Sequence, residues 1–158
     1  MRRLREILIC LITFVPLPVE ISAQKKAELV GLWQIHSPEI ASEYDDVYRF
    51  FPNGTFEFEY SGYRWSGRRI VSFSGTYRLH GDSIYFRIET TREILGGNIG
   101  WDGPPNTLGW IVQDGKEQTV NQISPKEIGL EIYENLDTVP PWIKIETQKF
   151  YLINKDPH

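Results

Sequence analysis

The chain has 158 residues, a formal net charge of −4 and 24% charged side chains. Apart from the N-terminal segment, adjacent basic residues occur only as the pairs Lys25-Lys26 and Arg68-Arg69. This argues against a broad surface for nucleic acid or an anionic membrane, because such binding needs concentrated positive charge. The length suits one domain with a sizeable core.

The N-terminal segment has the order of a secretory signal peptide. Three arginines precede an apolar run, Ile7–Val15, which is followed by prolines and by the small residues Ser22 and Ala23. The run is shorter than the roughly 20 residues that span a bilayer. We therefore expect cleavage near Ala23, with residues 1–23 as the signal peptide and residues 24–158 as a soluble domain, periplasmic or secreted.

The single cysteine, Cys10, lies inside this apolar run between Ile9 and Leu11. A lipidated cysteine follows a small residue and begins the mature chain, and Cys10 does neither. We therefore expect no lipid anchor, and no disulfide or cysteine metal site in the exported domain.

Most of the remaining sequence alternates between apolar and polar residues with a period of two, which predicts strands rather than helices. Pro52-Asn53-Gly54 predicts a tight turn, because proline fixes φ and glycine accepts the left-handed conformation. Gly75 predicts a bend or bulge within a strand. The predicted strands are Leu29–Ser37, Asp46–Phe51, Thr55–Tyr60, Arg69–Leu79, Ser83–Thr90, Thr107–Gln113, Glu117–Ile123, a segment around Leu130, and Ile145–Ile153.

Sequential hairpins of this kind predict an all-β, up-and-down antiparallel β-barrel of about eight strands, since closure removes exposed edges. A β-sandwich is the alternative. Two stretches, Leu95–Asn106 and Asn135–Trp142, are long for such connections, and long loops in compact domains are often functional or mobile.

Three motifs carry a family resemblance. Gly31-Leu32-Trp33 is followed by Tyr48–Phe56, with the sequence YRFFPNGTF, and by Gly75–Ile84, with the sequence GTYRLHGDSI. Together with the final aromatic–aliphatic segment Lys149–Ile153, these motifs resemble the exported lipocalin-like domains of Bacteroidetes-type bacteria. The resemblance implies a lipocalin-like barrel whose early tryptophan closes one end beside a late basic residue, Lys149 or Lys155.

Few residues form a pattern typical of catalysis or metal binding. His36, His80 and His158 are far apart in the sequence, and no nucleophile, metalloprotease or phosphate-loop motif occurs. Glu57 and Glu59 alternate with apolar residues and are expected on the solvated face. We therefore expect no cofactor, no metal and no enzymatic activity; a hydrolase is the third alternative.

Aromatic residues beside glycine-rich or basic segments are the candidate binding residues. Trp101 lies in a loop rich in glycine and proline, and Tyr60 and Trp65 flank a basic position. Because binding pockets combine an apolar lining with a few polar groups, Arg78 and Arg87 are included. The predicted ligand-binding residues are Tyr60, Trp65, Arg78, Arg87, Trp101 and Trp110.

Two functional hypotheses follow from these residues. The first is an exported lipocalin-like protein that binds a small apolar or aromatic molecule at the barrel mouth. The second is an interaction module with a filled core, whose loops contact an envelope protein or glycan. The many Phe and Tyr residues at alternating positions favour a filled interior. A cavity would favour the carrier, and a packed interior with an exposed aromatic patch would favour the module.

Overall fold

The computed structural model describes residues 28–36, 45–60, 67–101 and 109–158. The predicted signal peptide, Cys10 and Trp65 lie outside these residues. Within the described part, no helix has the length and apolar composition needed to cross a membrane.

The described residues form eleven β-strands, and Glu28 and Leu29 are helical. The strands are β1 (Gly31–Gln34), β2 (Val47–Phe50), β3 (Thr55–Glu59), β4 (Ile70–His80), β5 (Ser83–Leu95), β6 (Asn98–Trp101), β7 (Trp110–Gln113), β8 (Lys116–Asn121), β9 (Glu127–Asn135), β10 (Trp142–Ile145) and β11 (Gln148–Asn154).

Eight of these strands close into an antiparallel barrel. Their order around the ring is β1-β2-β3-β4-β5-β9-β10-β11, and β11 pairs with β1 to close it. The strands follow one another in chain order except that β6, β7 and β8 are inserted between β5 and β9. The predicted up-and-down barrel of about eight strands is therefore confirmed, and the chain does not form the alternative sandwich.

The long strand β5 supports the inserted strands. Its first half, Ser83–Arg87, pairs with β9, and its second half, Thr90–Leu95, pairs with β8. Strands β6 and β7 pair only with each other, as a two-stranded ribbon. β5 is longer than the predicted Ser83–Thr90, because its second half pairs with β4 and β8 beyond the part of the strand that faces the barrel core.

Two local predictions are confirmed in the β2–β3 and β4–β5 hairpins. The Asn53 side chain accepts hydrogen bonds from the Thr55 amide and hydroxyl, and Gly54 has a φ of 84°, so this segment forms the predicted tight turn. The β4–β5 register is irregular between Ser74 and Gly75. A Cβ on Gly75 would lie 1.9 Å from the Arg87 carbonyl oxygen, so only glycine fits at this close approach.

The barrel interior is occupied by aromatic rings in mutual contact. Phe86 lies 4.6 Å from Phe56 and 5.6 Å from Tyr48, measured between ring centroids. Tyr48 also contacts Phe150 and Phe58, at 4.9 and 4.5 Å. Such pairs add to the stabilisation that comes from burying the rings. The buried core consists of Leu29, Trp33, Tyr48, Phe50, Phe56, Phe58, Tyr77, Ile84, Phe86, Ile143, Ile145 and Phe150.

The two ends of the barrel differ. At one end, here called the capped end, the chain makes the β2–β3 and β4–β5 turns and the segment before β1 packs inward. Leu29 is fully buried, and its carbonyl oxygen accepts a 2.8 Å hydrogen bond from the Trp33 indole nitrogen. Lys155 donates to the neighbouring Glu28 carbonyl, whereas Lys149 lies elsewhere, on the outer wall. At the opposite end, here called the loop-rich end, strands β1, β3 and β5 end and strands β2, β4 and β9 begin.

Two strand predictions are wrong. The segment Leu95–Asn106, predicted to be a loop, contains β6. The sequence did not reveal this strand because the glycines beside Asn98–Trp101 obscure its short alternation. The predicted strand Ile145–Ile153 is instead interrupted by a hairpin turn between β10 and β11. Glu146 adopts a φ of 53° there, in a turn without the glycine, asparagine or proline that normally reveals one.

Candidate functional site

An exposed pair of tryptophans lies at the outer end of the β6–β7 ribbon. Trp101 and Trp110 are directly opposite each other in the antiparallel register. Their ring centroids are 5.7 Å apart, with an 83° angle between the rings. Trp101 remains 43% exposed and Trp110 53% exposed, although tryptophan is highly buried on average. The pair thus presents apolar aromatic surface to its surroundings.

One face of the ribbon is apolar. Because side chains alternate along a strand and directly opposite residues share a face, Ile99 and Val112 lie on the face of the two tryptophans. Ile99 is 53% exposed. The other face carries Ile111 together with the polar residues Asn98 and Gln113, and the Gln113 side chain lies over Gly100, 2.7 Å from where a Cβ on that glycine would be. We call the side chains of Ile99, Trp101, Trp110 and Val112 the ribbon face.

The ribbon is anchored to the loop-rich end by hydrogen bonds to backbone oxygens. The Gly67 amide donates to the Trp110 carbonyl at 2.5 Å. The Arg69 guanidinium donates to the carbonyls of Ile94 and Gly97, at 3.3 and 3.2 Å, and also to that of Gly96. A side chain that binds three carbonyls at the start of the ribbon fixes its direction relative to β5.

Tyr60 lies at the same end, above the barrel core. Its ring is 4.8 Å from Phe58 and 6.1 Å from Phe73, and Phe58 and Phe73 are themselves 4.9 Å apart. The Arg68 guanidinium lies 4.5 Å from the Tyr60 ring centroid, a cation–π distance. Tyr60 and Phe73 are only partly buried, so this aromatic triad forms an apolar floor at the loop-rich end.

Polar groups also lie where β1 ends and β2 begins, at the same end of the barrel. Asp45 is buried; the Gln34 amide donates to it at 3.4 Å, and its other oxygen is 2.5 Å from His36 Nδ1. Burial raises the pKa of the Tyr48 hydroxyl well above its usual range, and the nearby Tyr60, Glu146 and Asp46 raise it further. Tyr48 therefore stays protonated near neutral pH and is able to donate a hydrogen bond.

Arg78 and Arg87 lie on the outer wall and do not line the barrel interior. Each follows a core residue along its strand, Tyr77 or Phe86, so alternation turns both guanidiniums outward. Arg78 donates to Glu127 and lies 3.9 Å from the Tyr85 ring centroid. This hydrogen bond holds the pKa of Glu127 below its usual range. The arginines were chosen as polar groups of a pocket, but the strand register separates them from one.

The structure thus brings some predicted residues together and separates others. Gly67 and Arg68 connect Trp110 to Tyr60, since one bonds the Trp110 carbonyl and the next stacks on Tyr60. Trp101 contacts Trp110 across the ribbon. Trp65 lies outside the described residues.

A second cluster was not singled out from the sequence. On the outer wall, Lys149 lies over Trp142 and near Tyr151, and Lys144 lies near Tyr133. The signal was present in Trp142–Tyr151, where lysines and aromatic residues share the positions that alternate with Ile143, Ile145 and Phe150. It was obscured because the turn between β10 and β11 was not predicted.

The polar clusters give no indication of a metal. No group of three or more histidine, cysteine or carboxylate side chains in the described ranges is placed to hold an ion. At the capped end, a surface cavity of about 410 Å³ is lined by polar and charged residues around Leu136. It contains no aromatic ring, unlike the apolar floor at the loop-rich end.

Comparison with known proteins adds no assignment. No family model, curated protein or solved structure matches this chain.

Proposed function

We propose that this chain is an exported binding module of the lipocalin-like type, which contacts an envelope protein through the ribbon face. In this proposal residues 1–23 direct export and are removed near Ala23. The observation that carries the proposal is the half-exposed pair Trp101 and Trp110 on a ribbon that stands apart from the barrel sheet. The protein acts by binding and performs no catalysis.

The ring-filled core supports a contact made outside the barrel. Twelve buried side chains form one cluster inside it, so the aromatic groups available for binding lie outside this cluster, at the loop-rich end, on the ribbon and on the outer wall. Exposed apolar patches are unfavourable in water and typically mark interaction sites.

The chemistry of the ribbon face favours a protein over a glycan. A sugar site combines aromatic stacking with polar side chains that bind hydroxyl groups, and the ribbon contributes only apolar side chains to this face. In protein interfaces, by contrast, the few residues that carry most of the binding energy are enriched in tryptophan and lie near the centre, where water is excluded. The expected partner surface is an apolar groove that accommodates two crossed indole rings.

Site-specific photo-crosslinking in the native organism tests this proposal. A photoreactive phenylalanine at position 110 is expected to give one protein adduct that is absent from position 139. Val139 is the matched control because it is 98% exposed and lies in the β9–β10 loop at the capped end. With the purified partner, the variant W101A/W110A is expected to bind at least roughly 30-fold more weakly, since the loss of even one central tryptophan costs about 2 kcal/mol.

Three results would overturn the proposal: equal adducts from both positions, adducts to glycan alone, or wild-type affinity in the double variant. The urea midpoint of W101A/W110A controls for folding. Because both rings are half-exposed, it is expected to stay close to that of V139A.

A second candidate is a small apolar or aromatic molecule bound on the floor formed by Phe58, Tyr60 and Phe73. The partial burial of Tyr60 and Phe73 favours it. Binding of the fluorescent probe N-phenyl-1-naphthylamine tests this site. The small-molecule carrier would be supported over the interaction module if the wild type and W101A/W110A each bind one equivalent of the probe and Y60A does not.

A further inference from the structure

The outer wall of the barrel carries two lysines in an unfavourable arrangement. The register of β10 and β11 places Lys144 directly opposite Lys149, and like charges at directly opposite positions destabilise a sheet. The protein is acidic overall, so carboxylates are abundant. Nevertheless, neither ammonium group pairs with a carboxylate among the ion pairs of the described ranges.

Aromatic rings hold these ammonium groups in place. Lys149 Nζ is 4.0 Å from the Trp142 ring centroid and 5.3 Å from that of Tyr151. Lys144 Nζ is 6.0 Å from the Tyr133 ring centroid. Cation–π contacts orient an ammonium group without neutralising its charge, so both charges remain available to an external anion.

The same wall also offers an aromatic surface. Tyr133 is opposite Lys144 in the β9–β10 register and 51% exposed. Its hydroxyl donates a 3.2 Å hydrogen bond to Glu131, which fixes the direction of the ring. A fixed, half-exposed ring beside two charged donors is suited to a ligand that has both a flat apolar face and an anionic group.

We propose that this wall binds an anionic polysaccharide through its carboxylate or sulfate groups. Lys144 and Lys149 bind the anionic group, and Tyr133 stacks on a neighbouring sugar ring; we call these three residues the lysine patch. A nucleic acid fits less well, because its affinity depends on many phosphate contacts and the acidic remainder of this protein repels a dense polyanion. The site is independent of the ribbon face, which stands on the inserted strands β6 and β7.

Affinity electrophoresis of the full-length protein in gels containing polygalacturonate, dextran sulfate or neutral dextran tests the proposal. The protein is expected to be retarded by one or both anionic polymers and not by neutral dextran. Polygalacturonate identifies a carboxylate as the anion and dextran sulfate a sulfate. The variant K144Q/K149Q is expected to lower the affinity at least 10-fold.

The matched control is K116Q/K126Q, which removes the same charge from β8 and from the residue before β9. It is expected to keep wild-type retardation. Y133A provides a second test that leaves the charge unchanged, and it is expected to weaken binding severalfold. Removing the opposed lysines relieves a repulsion, so the urea midpoint of K144Q/K149Q should not fall.

Several results would overturn the proposal. These are no retardation of the wild type by either anionic polymer, equal losses in the two double variants, or wild-type binding by Y133A. Tighter binding to a single-stranded oligonucleotide than to either polysaccharide would assign the patch to nucleic acid instead. None of these results depends on the ribbon face, so this proposal and the proposed function fail separately.

Discussion

Truncation of Phe86 to alanine tests whether the barrel is filled. Phe86 is 3% exposed, and its ring lies 4.6, 5.6 and 6.2 Å from Phe56, Tyr48 and Phe50, between centroids. Burying a phenylalanine contributes about 1.5–3 kcal/mol, and the cavity left in a packed core adds to its loss. We therefore expect F86A to lower the free energy of unfolding by about 4 kcal/mol.

Urea unfolding followed by tryptophan fluorescence measures this loss. Y133A is the matched control, because it removes an aromatic ring of similar size that lies on the outer wall and is already half-exposed. It is expected to lower the free energy of unfolding by about 1 kcal/mol or less. Where F86A is too unstable to purify, F86L keeps the apolar volume and is expected to cost about 1.5 kcal/mol. A loss below about 1.5 kcal/mol in F86A would mean that the ring borders empty space, and the filled-core reasoning would be wrong.

Three further perturbations have defined outcomes. G75A is expected to lower the free energy of unfolding in urea by about 3 kcal/mol, because the new Cβ meets the Arg87 carbonyl. G81A has open space around its Cβ but a φ of 59°, and should lower it by about 1 kcal/mol. Equal losses in the two variants would contradict the close approach at Gly75. Burial raises the pKa of Tyr77 to about 12, so between pH 10 and 12 the unfolded chain loses a proton that the folded chain keeps. The contribution of Tyr77 to stability is then complete below pH 10 and should fall by about 1.4 kcal/mol per pH unit in that window. Buried Tyr48 adds to this fall in the same direction, so Y77F should show a shallower fall but not a flat profile. Titration of Tyr77 near pH 10 in the folded protein would refute this. R69A is expected to speed amide hydrogen exchange in β6 and β7 but not in β1–β4, while R78A, on the barrel wall, should leave the ribbon amides unchanged.

The sequence was most informative where local chemistry determines the structure. The alternation of Phe56 and Phe58 with Glu57 and Glu59 predicted which side chains face the core, and the structure buries both phenylalanines. Pro52-Asn53-Gly54 predicted its turn because each residue restricts the backbone in a known way. The regular spacing of such hairpins predicted a barrel of about eight strands, although the predicted strands Thr107–Gln113 and Glu117–Ile123 correspond to β7 and β8 outside the ring and β10 was not predicted.

Features set by long-range contacts were not predictable in this way. Glu146 adopts a left-handed conformation because β10 and β11 must pair, and no local signal at that position indicates it. Likewise, Lys144 and Lys149 become neighbours only through the register of a hairpin that the sequence pattern did not reveal. Arg78 is a different case: it was chosen for its chemistry, although the local alternation after Tyr77 in β4 already turns it away from the core.

Native mass spectrometry of the protein isolated from its natural source distinguishes a filled barrel that binds at its surface from a barrel that binds a ligand inside. A filled barrel is expected to give a bare polypeptide, with no small molecule retained in stoichiometric amount. A stoichiometric small-molecule adduct that survives purification and is lost from F86A or Y60A would contradict it, and would assign the binding site to the barrel itself.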